Sequence, residues 1–192
     1  MTIHEPVARR THAWPRAAGD FYIEPRWCSE RLFETEVFLR EVVDPACGSG
    51  RIVEAARARH LPAEGWDLVN RGFPGTIVRD FLTYAGPGPE NLVFNVLFNL
   101  ARPFIERAIE LARCKTAAIF PTASLNAARW LLPLPLSRVW LLSPRPSMPP
   151  GELVLAGMQP KGGRPDYCWL VFERGYVGSP WLRWLHRDGD SR

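Results

Sequence analysis

The stretch Val42-Val-Asp-Pro-Ala-Cys-Gly-Ser-Gly-Arg-Ile-Val-Glu54 decides the fold class of this chain. Its two valines predict a short buried strand, and the glycines at positions 48 and 50 predict a tight turn directly after that strand. From Arg51 onward the apolar residues recur at helical spacing. A strand that enters a helix through such a turn presents free backbone N–H groups and the positive end of the helix dipole to a ligand.

The turn lacks the third glycine of the dinucleotide-binding pattern G-x-G-x-x-G. We therefore predict a nucleoside ligand without phosphates, and a nicotinamide-dependent oxidoreductase is disfavoured. Asp67 follows Asp44 by roughly 20 residues, the spacing at which a carboxylate at the end of the second strand accepts hydrogen bonds from a ribose. Loop solubility or helix capping is the alternative explanation for Asp67, and it applies equally to Asp80.

Apolar runs and helical periodicities alternate along the rest of the chain. Further strands are predicted over 65–69, around 77–78, and over 91–95, 115–120, 139–142 and 167–172. Helices are predicted from Ser29, over 51–60, 102–113 and 124–132, and Trp181, Trp184 and Leu185 follow a helical spacing. This alternation predicts a doubly wound α/β fold, with a mainly parallel sheet and helices on both faces. The last two strands lack a strong helix between them and are predicted to form an antiparallel edge pair.

The composition is that of one globular domain: 192 residues, 46% hydrophobic and 23% charged. Residues 1–19 lack apolar periodicity and are predicted to form a mobile basic arm ahead of a domain over residues 20–192. No apolar run approaches the ~18 residues of a membrane span. The first residues lack a signal-peptide core, so we expect a cytoplasmic protein. The four cysteines form no C-x-x-C pair or Cys/His cluster, and their spacing predicts no metal site.

The net charge of +4 depends mainly on arginine. A guanidinium binds phosphate through two parallel hydrogen bonds, so this bias fits contact with nucleic acid. A GC-rich genome would produce the same bias, and both explanations stay open. If the partner is DNA, phosphate contacts are predicted from Arg9, Arg10, Lys161 and Arg164.

The turn Asp44-Pro-Ala-Cys-Gly-Ser-Gly50 resembles the first motif of class I S-adenosylmethionine-dependent methyltransferases, in the form found in small phage-type DNA adenine-N6 methyltransferases. The resemblance extends over most of the chain, from the segment Phe21-Tyr22 with Pro25 and Trp27 to Asp166-Tyr-Cys-Trp169. It implies a Rossmann-like methyltransferase sheet with S-adenosylmethionine as cofactor. It further implies that Asp44 lies near the methionine amine, Asp67 holds the ribose hydroxyls, and Asp80-Phe81 flanks the adenine. The complete set of cofactor-binding residues implied by the resemblance is Tyr22, Asp44, Ala46, Gly48, Gly50, Asp67, Asp80 and Phe81.

The predicted catalytic loop departs from that family. Members carry Asn/Asp-Pro-Pro-Tyr/Phe after the fourth strand, whereas this chain has Asn95-Val-Leu-Phe98. The resemblance implies that Asn95 accepts a hydrogen from the target amine and that Phe98 stacks on the extruded base. Without the prolines the loop loses backbone rigidity. The alternative is that both residues merely end a strand and pack.

A second departure is Glu24, which replaces the threonine usual before the proline and could repel the cofactor carboxylate. The two departures point toward reduced activity or its loss. The sequence therefore predicts a methyltransferase-like protein that acts on adenine N6 in DNA through a degenerate loop. The alternative is a catalytically inactive binding or regulatory protein of the same fold.

Overall fold

The computed structural model describes residues 21–95, 100–159 and 162–189. The strands are β1 (Val42–Asp44), β2 (Ala63–Asp67), β3 (Ile77–Val78), β4 (Asn91–Asn95), β5 (Lys115–Pro121), β6 (Leu136–Ser143), β7 (Tyr167–Glu173) and β8 (Trp181–His186). The helices are α1 (Arg26–Thr35), α2 (Arg51–Ala58), α3 (Ala101–Leu111) and α4 (Gly151–Leu155). The predicted arm over residues 1–19 lies outside the described residues, so its prediction stays open.

All eight strands belong to one sheet, in the order β3-β2-β1-β4-β5-β7-β6-β8. The five strands from β3 to β5 run parallel, and β7 runs antiparallel to both β5 and β6. The predicted doubly wound, mainly parallel sheet is confirmed. The antiparallel pair β6–β7 lies one strand inside the sheet edge, because β8 adds to β6 in parallel.

Helices cover both faces of the sheet, and alternate residues of each strand feed two separate cores. Strand β4 shows the division: Val93 packs with the helices α1 and α2, whereas Leu92 and Phe94 pack with α3. All three side chains are fully buried. A central strand that is apolar on both faces is what a parallel sheet covered by helices requires.

Two segments predicted to be helical are not. In place of the helix predicted over 124–132, the structure has two short 3₁₀ helices, Thr122–Ser124 and Arg129–Leu131. Leu125 and Leu131 both pack against the α3-side core, and in an α-helix they would lie about 120° apart around the axis.

The residues from Trp181 to His186 form β8 instead of a helix. Each pairs with a residue of β6, from Arg138 to Ser143. In this strand Leu185 is buried and the other apolar residues are largely exposed.

Helix α1 begins three residues before the predicted cap at Ser29, directly after Pro25. Its far end is held by Glu36, which is buried. The Glu36 carboxylate accepts hydrogen bonds from Lys115 Nζ at 3.0 Å, from Trp140 Nε1 at 2.8 Å and from the Arg138 guanidinium. This cluster ties α1 to β5 and β6. Within the described residues, no helix combines the length and the apolar character needed to cross a membrane.

Candidate functional site

A cavity of about 830 Å³ opens at the carboxyl ends of β1, β2 and β4. The strand order reverses between β1 and β4, and ligands of open α/β sheets bind at such a switch point. Its size is in the range of pockets that hold a small molecule or a cofactor. Seven of the predicted site residues line it: Tyr22, Asp44, Ala46, Gly48, Asp67, Asp80 and Phe81, together with Asn95 from the predicted catalytic pair.

The glycine turn between β1 and α2 forms one wall of the cavity. Gly48 has a φ of +49°, and a Cβ there would lie 2.7 Å from Phe21 Cε2. Gly50 has a φ of +80° and precedes the first residue of α2, where a Cβ would lie 2.0 Å from Phe73 Cδ2. Both positions therefore require glycine. Gly50 supports the turn from behind and does not itself line the cavity.

Asp67, the last residue of β2, holds the turn in place. Its Oδ2 accepts a hydrogen bond from the Gly48 backbone N–H at 2.9 Å, and its Oδ1 accepts one from the Val69 N–H at 3.1 Å. The Arg71 guanidinium lies 3.8 Å from the same Oδ1. The carboxylate lines the cavity with lone pairs left to accept from a ligand hydroxyl, since each oxygen can accept more than one hydrogen bond.

Asp44, the last residue of β1, is a buried carboxyl at the base of the cavity. Its Oδ1 accepts a hydrogen bond from the Ala46 N–H at 3.0 Å. Burial raises the pKa of Asp44 well above its usual range, and the charges of Glu24 and Asp67 act in the same direction. A cationic ligand in the cavity would stabilise the ionised form of this carboxyl and would be attracted to it.

The opposite wall is mainly apolar and carries the predicted pair Asp80 and Phe81. Phe81 is buried, with its ring centroid 4.9 Å from that of Phe104 on α3. Asp80 is exposed at the rim, where its Oδ1 accepts from the Leu82 N–H at 3.0 Å. Leu68 and Leu82 also line this wall, which offers a flat apolar ring a place to bind.

The segment before α1 closes the third side. Backbone hydrogen bonds from Ile23 N to Pro149 O (3.1 Å) and from Gly151 N to Phe21 O (2.8 Å) fasten it to the start of α4 and to the residues just before that helix. Glu24 follows and is buried, and desolvation raises the pKa of its carboxyl. Its backbone carbonyl accepts from the Arg51 guanidinium.

Asn95 lies at the carboxyl end of β4 and lines the cavity. Its Nδ2 donates to Glu24 Oε2 at 3.0 Å and to Tyr22 O at 3.3 Å. Both amide hydrogens are thereby engaged, so the oxygen, Oδ1, is the side-chain group available to accept from a substrate. Phe98, the second predicted catalytic residue, lies outside the described residues.

The cavity is also lined by arginines that the sequence did not indicate as site residues, namely Arg51, Arg71 and Arg79. The Arg71 guanidinium lies 4.4 Å from the Phe21 ring centroid. That of Arg79 lies 4.4 Å from the Trp66 ring and 4.5 Å from the Tyr84 ring. Stacking pairs that form between distant segments leave no pattern in the local sequence.

Three of the four residues predicted to contact phosphates, Arg9, Arg10 and Lys161, lie outside the described residues. Arg164 is exposed on the loop before β7 and does not line the cavity. These contacts stay predictions.

Neither a protein-family model nor a curated protein matches this sequence. Solved structures do match. A predicted O-methyltransferase of Agrobacterium tumefaciens has a TM-score of 0.57 at 12% identity, over 84% of this chain and 85% of that one. The 23S rRNA methyltransferase ErmE has a TM-score of 0.54 at 12% identity, over 81% and 70%.

A proposed class I S-adenosylmethionine-dependent methyltransferase of Listeria monocytogenes has a TM-score of 0.52 at 13% identity, over 83% of this chain. The match spans 62% of the Listeria protein. At these identities the similarity concerns the fold, and this chain has the class I methyltransferase fold.

Proposed function

We propose that this chain is an S-adenosylmethionine-dependent methyltransferase that acts on an exocyclic amine, with adenine N6 in DNA as its substrate. The observation that carries the proposal is the Asn95 carboxamide at the rim of the cavity, with both amide hydrogens engaged and Oδ1 left to accept. An exocyclic amine donates hydrogen bonds, so such an oxygen can orient it.

The cavity residues fit the proposed cofactor. Asp67 would accept from the ribose hydroxyls, and the apolar wall with Phe81 and Leu68 would contact the adenine. Asp44 would face the amino group of the methionine part of the cofactor, and the Arg51 guanidinium, which also lines the cavity, would neutralise the carboxylate of that part. The missing Cβ at Gly48 leaves the turn backbone accessible. When bound, the cofactor supplies an electrophilic methyl group.

The chain's own residues would then align the amine. Methylation of an exocyclic amine needs orientation of the nitrogen lone pair more than it needs a strong base. Asn95 Oδ1 would accept one amine hydrogen, and the backbone carbonyl of Val96, which the sequence places next, would accept the other.

The test has two stages with the full chain. Titration calorimetry with S-adenosylhomocysteine first measures cofactor binding, with NADH as the control ligand. Tritium-labelled S-adenosylmethionine is then supplied with single-stranded DNA, duplex DNA or RNA. The nucleic acid is digested, and its nucleosides are separated by liquid chromatography and identified by mass spectrometry. We expect label in N6-methyladenine from DNA. Binding without transfer would instead support an inactive protein, which the missing loop prolines favour; label only in RNA would move the substrate to RNA.

A further inference from the structure

Glu24 places a buried carboxylate directly against Asn95. The residue is 5% exposed, its Oε2 accepts from Asn95 Nδ2 at 3.0 Å, and its Oε1 accepts from Ser29 Oγ at 3.4 Å. Ser29 is itself fully buried on α1. Burial of a carboxylate is unfavourable, and this one contacts a residue of the candidate site, which raises the question of what the contact does for the site.

The contact fixes which end of the Asn95 carboxamide faces the cavity. A rotation of the amide by 180° would bring Oδ1 against the Glu24 carboxylate and the Tyr22 carbonyl, two groups that only accept. Both amide hydrogens would also lose their partners, and a buried donor left unpaired is unfavourable. The ionised Glu24 therefore excludes the rotated amide.

We propose that Glu24 is a positioning residue, which holds the Asn95 oxygen toward the substrate and so makes the site selective for a substrate group that donates a hydrogen bond. The inference rests on the proposed function, because it assigns a purpose to the orientation of Asn95. It also changes the meaning of the departure at position 24: the glutamate takes over part of the rigidity that the missing loop prolines would supply.

The orientation should depend on the ionisation of Glu24. The titratable groups that face it are Arg51 on α2, Asp44 on β1 and Cys28 on α1. Burial raises the pKa of Glu24, so its carboxyl gains a proton at a higher pH than an ordinary glutamate does. A protonated carboxyl can donate to Oδ1, and the rotated amide then becomes acceptable. Selection of one orientation is therefore lost as the pH falls through the raised pKa.

Nuclear magnetic resonance tests this without any activity. In the full chain labelled with ¹⁵N-asparagine, the Asn95 side-chain signals are identified by their loss in Asn95→Ala. We expect them to shift with pH in one transition above the usual glutamate range. Glu24→Gln should abolish that transition, whereas Glu34→Gln, an exposed glutamate paired with Arg31, should preserve it. A transition that persists in Glu24→Gln, or none in the wild type, overturns the proposal.

Ser29→Ala gives a second test should Glu24→Gln fold poorly. The Ser29 hydroxyl stabilises the ionised carboxyl, so its removal should move the Asn95 transition to higher pH. A transition that stays in place contradicts the assignment to Glu24.

A double-mutant cycle tests the link to activity. Glu24→Gln should lower kcat about 10- to 100-fold with little change in the cofactor KM, because a misplaced acceptor costs reaction geometry. In the Asn95→Ala background the same change should have no further effect. Independent, additive losses contradict a role through Asn95. A wild type that binds no S-adenosylhomocysteine would refute the proposed function, while the resonance experiment would still decide the role of Glu24.

Discussion

Asp67 and Gly48 are joined by a hydrogen bond of 2.9 Å, from the Gly48 backbone N–H to Asp67 Oδ2. The bond connects the end of β2 with the glycine turn after β1. One carboxylate thereby shapes the turn and also lines the cavity beside it. Its loss should affect both the ligand contact and the surface against which the ligand lies.

Asp67→Ala should weaken S-adenosylhomocysteine binding by about 1–3 kcal/mol, because ribose donors lose their acceptor and the Gly48 N–H loses its partner. Titration calorimetry measures the change. Asp166→Ala is the matched control, since that aspartate is exposed and pairs with Arg145 away from the cavity. Equal affinities of Asp67→Ala and the wild type would contradict the assignment.

Asn95→Ala should abolish methyl transfer and leave S-adenosylhomocysteine binding within about threefold of the wild type. The substitution removes the amine acceptor together with its orientation, and such preorganised contacts act mainly in the transition state. Label incorporation and calorimetry on the same preparation separate the two effects. Asn126→Ala, at an exposed position, should behave as the wild type. Transfer that survives in Asn95→Ala would exclude Asn95 from catalysis.

Asp44→Asn should change how stability depends on pH. Burial raises the pKa of Asp44, so between the usual value of about 3.9 and the raised value the folded state holds a proton that the unfolded state has released. The contribution of this group to the free energy of unfolding therefore falls as the pH rises through that window.

Asparagine keeps an acceptor for the Ala46 N–H and carries no charge. Asp44→Asn should thus have a higher Tm than the wild type at neutral pH, by about 2–4 °C for each kcal/mol regained. The difference should shrink toward pH 4. Thermal denaturation across this range, with Asp166→Asn as the control, provides the measurement. A Tm difference that does not vary with pH would contradict the raised pKa.

Glu36→Ala should destabilise the protein by about 1–3 kcal/mol, because the buried Trp140 Nε1 loses its acceptor. Lys115 and Arg138 keep Glu173 as a carboxylate partner. Glu34→Ala, only two residues earlier, removes an exposed pair with Arg31 and should cost less than about 1 kcal/mol. Urea denaturation followed by circular dichroism compares them. Similar midpoints for the two variants would show that the Glu36 cluster is not a main link between α1 and the sheet.

The strand, turn and helix around Gly48 and Gly50 could be predicted from sequence because their signals are local. The glycines of the turn and the helical spacing of the apolar residues that follow are both found within a dozen consecutive residues. The same holds for α3, where the predicted helix over 102–113 corresponds to Ala101–Leu111. Strand β8 was missed because its Trp-Leu-Arg-Trp-Leu-His pattern fits a helix as well as a strand, and only pairing with β6 decides between them.

The contacts that tune the site could not be predicted, because they join distant positions. Glu24 and Asn95 are 71 positions apart, and their hydrogen bond exists only after α1 and β4 have packed. The sequence indicated Glu24 as an unfavourable charge near the cofactor. The structure adds a hydrogen bond between its carboxylate and the Asn95 amide, which the sequence did not indicate. Similarly, the packing of Arg79 against both Trp66 and Tyr84 depends on the turn after β3.

The central claim is that the cavity between β1, β2 and β4 holds S-adenosylmethionine, and calorimetric titration of the full chain with S-adenosylhomocysteine tests it most directly. The account predicts saturable heat with one ligand per chain, weakened by Asp67→Ala and absent with NADH. If no heat is measured up to about 1 mM ligand, any binding is weaker than a Kd of about 1 mM, which corresponds to a binding free energy of about −4 kcal/mol. That result would contradict the assignment of this cavity as the cofactor site.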